Sequence, residues 1–421
     1  MNLKDYGLKI LLSTLGIPDF YCPYIQSQDA KLELIAQYLK GDLIEQTSQE
    51  PLSPKVNILL NEIETNLKQK LPNNIPYIKK WYWPNWKEYA FTISHDVDKI
   101  TESRAHIWKI RKRFSKLDVL KAILGISNPY NNFKLYAKLE KQYGVRSSFY
   151  FLTDEYDFKK ITKEIRVLKE NKTDLGLHGG FGTHNDSDKL NYEKKKLENI
   201  LGASIFGLRQ HFLKFDFPTT WEVQNQANFL YDTTVGFNDK IGFKNGITFP
   251  FFSHDHNIDL LPLIEIPLII MDAAVWSGLQ LTEETALQMI QQIRDLIKQY
   301  NGLLTLLWHQ CTLKMRGGRI YQDVLKNIIE ESTYVTNGTE LAEWWYARAE
   351  FQIQTSSKNE KLLIHLSNPR NIQNLGLKIE FKEKIELSST SSNIQLIQKT
   401  EKDFKLTFIN GNSGEIEFTS V

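Results

Sequence analysis

Phe91-Thr92-Ile93-Ser94-His95-Asp96-Val97-Asp98 is an apolar run of strand length that turns polar at its end, where it delivers two carboxylates two positions apart. In barrels of parallel strands, active sites sit at the C-terminal strand ends. Asp96 and Asp98 are therefore candidates for metal-assisted hydrolysis, one as ligand and the other as base. An Asp ahead of a helix also satisfies free backbone N–H groups, so a capping role stays open for either residue. The recurrence of the pattern decides the fold class. From Phe91 onward, strand-length apolar runs alternate with longer helical patterns, the signature of βα units around a mostly parallel sheet. Seven strands are expected: 91–95, 147–152, 174–178, 204–209, 229–235, 263–270 and 303–309. The clearest helices between them are 103–124, 158–170, 189–201, 219–228 and 283–300.

Outside this core the pattern changes. Residues 1–88 hold short helical patterns broken by prolines and closed by Trp81, Tyr82, Trp83 and Trp86, which reads as a small helical cap. Residues 351–421 alternate apolar and polar positions, as in Leu377-Lys378-Ile379-Glu380-Phe381 and Phe404-Lys405-Leu406-Thr407-Phe408. Period two with turn signals such as Asn410-Gly411-Asn412 predicts a small antiparallel β domain. The expected organisation is α/β: a cap over 1–88, a (β/α) barrel over 89–350 and the β domain over 351–421. Trp344-Trp345-Tyr346 is expected to pack the end of the barrel against that domain.

The 421 residues are 41% hydrophobic and 24% charged, which excludes wholesale disorder. A formal charge of +2 provides no global field for nucleic acid, so no nucleic-acid partner is expected. Two cysteines, Cys22 and Cys311, cannot build a disulfide framework or a Cys-rich zinc module, so any metal must be held by His, Asp or Glu. No run approaches the roughly 20 apolar residues of a membrane span or a signal-peptide core. With Met1 as the start, a soluble, cytoplasmic protein is expected.

Four of the nine histidines, His95, His178, His211 and His309, fall at or just beyond the predicted strand ends, together with Asp96, Asp98 and Arg209. A bland core does not gather so many costly polar groups at one end of a sheet. His184 follows His178 in the same Gly-rich loop, whereas His106, His254, His256 and His365 lie elsewhere and read as structural or solvated. The predicted 103–124 helix carries Arg104, Lys109, Arg111, Lys112, Arg113, Lys116 and Lys121. Such a helix could meet an acidic polymer or a membrane surface, though a solvated face is the simpler reading. Gly-x-Ser-x-Gly and Walker patterns are absent.

Together these segments resemble the polysaccharide deacetylase family (NodB homology, carbohydrate esterase family 4) over roughly residues 89–350. Ile93-Ser94-His95-Asp96-Val97-Asp98 is similar to the family's first motif in an Asp-x-Asp form, and Leu175-Gly176-Leu177-His178 to its second. Arg209-Gln210-His211-Phe212 resembles the third, and Leu306-Leu307-Trp308-His309 the last. The resemblance implies a distorted (β/α)7 barrel, in accord with the seven strands. It implies Asp96 as general base, Arg209 as the residue that orients it, His309 as general acid, and Asp98 and His178 as metal ligands. The family's second metal histidine lies four residues after the first, where this chain has Gly182. His211 is the favoured replacement and His184 the alternative. For the fourth motif, Asp232 and Asp272 with Trp276 are the candidates.

The expected activity is metal-dependent removal of an acyl group, foremost N-acetyl, from a sugar or glycan precursor. One divalent ion, zinc or else cobalt or nickel, activates water, Asp96 takes its proton and His309 protonates the leaving amine. Two alternatives remain at this level: an amidohydrolase acting on a non-sugar C–N bond, and a non-catalytic glycan-binding protein on a degenerate barrel.

Overall fold

The computed structural model describes residues 1–358 and 361–420. Its centre is a curled, mostly parallel sheet formed by β1 (Tyr89–Val97), β2 (Ser148–Phe151), β3 (Asp174–Gly179), β4 (Gly207–Gln210), β5 (Tyr231–Asp232), β6 (Leu260–Glu265), β7 (Ile270–Met271) and β8 (Leu303–Leu307). The spatial order is β6-β5-β4-β3-β2-β1-β8-β7, all parallel, with Phe251–His254 antiparallel on the outer edge of β6. β1 is buried over its whole length, as a strand covered on both faces must be.

The strand expected over 263–270 is kinked. Pro267 lacks an N–H for the ladder, and its carbonyl accepts instead from Thr305 Oγ1. As a result β6 pairs with β5 while β7, on the other side of the kink, pairs with β8. The two pieces are one passage of chain that changes partners, giving a distorted α/β barrel.

Helices cover the sheet. Ser187–Leu201 starts at Asp186, whose carboxylate accepts from Lys189 N, and Glu283–Gln299 starts at Thr282, whose hydroxyl accepts from Thr285 N. Such caps satisfy N–H groups that a helix start leaves free. The single helix expected over 103–124 is instead broken into Arg104–Lys109, a 3-10 turn at Arg111–Arg113, and Lys116–Ile123. Ser103 and Ser115 each cap a new start, and Phe114 between them is extended and bridges to Met315.

The first 70 residues are helical, with Leu3–Leu15, Asp29–Lys40 and Lys55–Lys70 as the main elements. Strand Tyr77–Lys80 then joins Leu375–Glu380, Asp403–Phe408 and Ile394–Lys399 in an antiparallel sheet. A second sheet, from Gln352–Lys358, Lys361–Ser367, Ser413–Ser420 and Ile385–Thr390, packs on it through Phe404 and Phe418. Of Trp344-Trp345-Tyr346, expected to pack against this β region, Tyr346 does so beneath the Arg370 guanidinium, 4.7 Å from its ring centroid, while the two tryptophans have other partners. Trp345 packs on Trp83 and Phe249, and Trp344 Nε1 donates to the Tyr82 carbonyl. The joint between the parts is Arg348, fully buried, which donates to the carbonyls of Ser13, Thr14, Lys80 and Trp81.

Candidate active site

Alternation along β1 sends successive side chains to opposite faces. Asp96 turns into the mouth of the barrel, and Asp98, just past the strand, follows it. His95 turns away, fully buried: its Nδ1 donates to the Trp308 carbonyl at 2.6 Å and its Nε2 meets Glu140 at 2.6 Å. Glu140 also accepts from Ser147 and Tyr321. His95 thus belongs to a structural network beneath the strand end, outside the mouth. Burial works against the charge on Glu140, but His95 and the two hydroxyls outweigh it and hold the carboxyl below its usual range.

Asp98, His178 and His211 converge so that one donor atom from each lies within 4.8 Å of the others. His178 Nε2 is 3.3 Å, and His211 Nε2 3.9 Å, from Asp98 Oδ1. Donors about 2.0 to 2.1 Å from a tetrahedral ion stand about 3.3 Å apart, so the spacing fits. His178 Nδ1 donates to the Arg209 carbonyl at 2.8 Å, which leaves the Nε2 lone pair free on the Asp98 side. Asp98 Oδ1 is buried without a hydrogen-bond partner, a costly arrangement unless something binds there. One carboxylate and two imidazoles form a donor set that suits zinc or a similar divalent ion. Burial opposes charge on Asp98, but His178, His309 and His211 outweigh it and hold the carboxyl well below the usual range. His178 is pushed up, with Asp96 and Asp98 overcoming its burial, while His211 is pushed down by burial and by its neighbour His178.

His184 does not join this group. It lies on the 3-10 turn Thr183–Asn185, with Nε2 3.4 Å from Asp216. Gly182 has φ +80°, a left-handed conformation that costs an L side chain, so the loop is poorly shaped for a histidine at that position. His211 is brought in by Phe212 and Leu213, both with positive φ (58° and 50°). Two consecutive non-glycine residues in that region store strain, and here the tight turn carries His211 back over His178.

Beside the triad stand two buried pairs. Arg209 Nη1 donates to Asp96 Oδ1 at 2.8 Å and to Ser94 Oγ at 2.9 Å. The rest of the guanidinium is fixed by Thr233, through its carbonyl and hydroxyl, and by the Tyr150 ring beneath it. Asp96 Oδ2 is then left facing His178 Nε2 at 3.7 Å. On the other side, His309 Nε2 lies 3.8 Å from Asp98 Oδ2, and its Nδ1 is 2.6 Å from Asp272 Oδ1. Burial pulls His309 down, yet Asp272, followed by Asp98 and Asp96, raises it to about 10.

Of the two candidates for the fourth motif, Asp272 meets His309. Asp232 points to the opposite face of the sheet, where it accepts from Thr234 and neighbours Glu265. Asp272 follows β7 directly, but a two-residue strand behind a proline kink is a faint signal. Ser94, Thr233 and Tyr150 as supports of Arg209, and Glu140 as the partner of His95, carry no pattern legible before the fold is known. At the rim, Phe181 and Phe212 are exposed and pack around His211, with ring centroids 5.2 and 4.0 Å away. No helix among the described residues is long and apolar enough to cross a membrane.

No family model matches the sequence, and no curated protein matches it. Among solved structures, the chain is similar to a proposed polysaccharide deacetylase from Mycobacterium smegmatis, at 15% identity and a TM-score of 0.47, with 69% of this chain and 100% of that chain covered. It is also similar to a proposed polysaccharide deacetylase from Pseudomonas aeruginosa PAO1, at 13% identity and a TM-score of 0.45, covering 63% and 93%. A third likeness is to a CE4 family pseudoenzyme from Bacillus anthracis, at 11% identity and a TM-score of 0.35, covering 62% and 66%.

Proposed function

We propose that this protein is a metal-dependent hydrolase that removes an acyl group, foremost acetyl, from the amine of a sugar or glycan precursor. The observation that carries the reading is a single mouth in which a metal-competent triad is flanked by a carboxylate held by arginine and a histidine held by a carboxylate. Asp98, His178 and His211 would hold the ion, which supplies Lewis-acid polarisation of the acyl carbonyl and acidifies water. Asp96 is the base. Arg209 occupies Oδ1 and leaves Oδ2 directed at the mouth, so the attacking water loses its proton to Oδ2. His309 is the acid: Asp272 fixes its Nδ1 proton and leaves Nε2–H to protonate the departing amine. The products are a carboxylic acid and a free amine.

The exposed Phe181 and Phe212 rings support a sugar as substrate, because they offer flat apolar surface to the C–H faces of a pyranose while its hydroxyls stay wet. A binding protein has no use for an acid, a base and an ion site together. The test is acetate release from N-acetylated oligosaccharides by zinc-reconstituted protein. Asp96→Asn should lower the rate at least about a hundredfold, the usual scale for a lost general base, while metal content stays unchanged. Full activity in Asp96→Asn, or release of acyl groups only from non-sugar amides, would overturn the assignment of the base or of the substrate, respectively.

A further inference from the structure

Residues 101–127 carry a surface that the chemistry of the mouth does not use. The seven cations of this segment face two acids, Glu102 and Asp118, a local excess of five in a chain of net charge +2. All seven are exposed, and among the described residues none of them forms an ion pair; the partner of Glu102 is Lys99.

Interleaved with these cations are Trp108, Leu117, Leu120, Leu124 and Ile126, each between 54% and 69% exposed. They are five of the fifteen large hydrophobics exposed among the described residues, gathered within 19 positions. Singly scattered apolar side chains need no explanation, but a contiguous patch does. Leu117, Leu120 and Leu124 are spaced i, i+3, i+7, a stripe along one face of the Lys116–Ile123 helix. The opposite face is already used, since Val119 and Ala122 pack with Phe114, Tyr130 and Met315. The segment is tied to the mouth end of the barrel. It leaves β1 just after Asp98, and Arg316 N donates to the Arg113 carbonyl from the loop that follows His309.

We propose that residues 104–126 form an interfacial docking face that seats the mouth end of the barrel on an anionic lipid bilayer. A bilayer surface satisfies both halves of the patch: lipid phosphates take the cations, and the acyl boundary takes the leucines, Ile126 and Trp108. A nucleic acid or an acidic polysaccharide would meet the cations and leave the aliphatic stripe wet. A second copy of this chain would bring a like-charged patch against it. The docking does not depend on the reaction at Asp96. Its consequence for substrate, an acyl sugar presented at the lipid surface, rests on the function proposed above.

The experiment is co-flotation of the full chain with phosphatidylcholine vesicles, with and without phosphatidylglycerol. Binding is expected only with phosphatidylglycerol and should weaken with salt. Each basic residue near an anionic surface is worth about fivefold in partitioning, so Arg111→Glu, Lys112→Glu and Arg113→Glu together should cost at least about a hundredfold. Leu117→Ser, Leu120→Ser and Leu124→Ser together should cost at least about tenfold. These side chains are exposed, so unchanged melting temperatures certify that both triple variants fold. Absence of binding to phosphatidylglycerol vesicles at low salt would overturn the proposal. So would binding indifferent to the leucine changes but matched by heparin, which would assign the patch to a polyanion. Vesicle binding reads no chemistry, so its failure is distinguishable from a failure of the acetate-release test.

Discussion

Asp272→Asn isolates the histidine–carboxylate pair of the mouth. Asp272 is fully buried and accepts from four donors: His309 Nδ1, His309 N, Ala273 N and Thr312 Oγ1. An asparagine keeps the shape but turns an N–H₂ group towards donors on one side. His309 stands at about 10 against an ordinary 6.5, a lift equivalent to roughly 5 kcal/mol. Asp272 is the first of the three carboxylates responsible, so its removal should cost about 3 kcal/mol, the low end for breaking a buried pair. The raised histidine contributes stability fully present below about pH 6.5 and lost as pH rises towards 10. Burial opposes the charge on Asp272, but His309 and Thr312 hold it below its usual range, so its share is present above about pH 3.9 and lost as pH falls through its depressed value. In urea denaturation of chelator-treated protein, the gap between wild type and Asp272→Asn should therefore be widest near about pH 5.5 and narrow by more than about 1 kcal/mol towards pH 10. The His309 ring midpoint, followed by NMR, should drop by about two units or more in the variant. A gap that ignores pH, or a midpoint within about half a unit of wild type, would refute the assignment of Asp272 as the group that charges His309.

Three further outcomes follow from the same geometry. His211→Ala should lose bound zinc in elemental analysis after reconstitution, whereas His184→Ala should retain it, because His184 faces Asp216 instead of Asp98. Arg348→Met removes the donor to four carbonyls, two of them in buried and two in part-buried hydrogen bonds, and at about 1 to 3 kcal/mol for each buried acceptor left unmet it should lower urea stability by at least about 2 kcal/mol. Glu140→Gln should cost about 2 kcal/mol at neutral pH by breaking the contact with His95. Because the folded pKa of Glu140 is depressed, that cost should fade as pH falls below about 4.3 and through the folded value; a difference that persists undiminished in acid would contradict it.

Much of the barrel was legible because its strands are covered on both faces and read as largely apolar runs ending in polar residues, as in Leu303–Leu307 before His309. The kink in Leu263–Ile270 carries a signal in the sequence, Pro267, which a ladder cannot accept; what only the fold shows is that the two pieces pair with different strands. The break at Phe114 was hidden: Ser115 is an ordinary residue in a helical pattern until its hydroxyl is seen capping Asp118 N. Within the site, the mouth-facing residues of β1, β3, β4 and β8 stand at strand ends and could be read off the chain. Their supports could not. Tyr150 beneath Arg209 and Glu140 beside His95 come from other elements, so that only the fold brings them near.

The position of His211 shows how the chain gathers a candidate metal-binding triad without a second histidine from the loop after β3. In the parallel register of β3 and β4, His178 stands opposite Arg209. His211 opens the 3-10 turn that follows β4, two residues past Arg209, whose guanidinium reaches Asp96 in the mouth. The left-handed residues Phe212 and Leu213 then turn the chain sharply enough to keep the ring there, 4.9 Å from His178 between centroids. His178 is thus placed by β3 itself, whereas His211, the first residue past β4, is placed by the turn His211–Leu213. Arg209 links the two halves of the site, since its carbonyl orients His178 while its guanidinium orients Asp96.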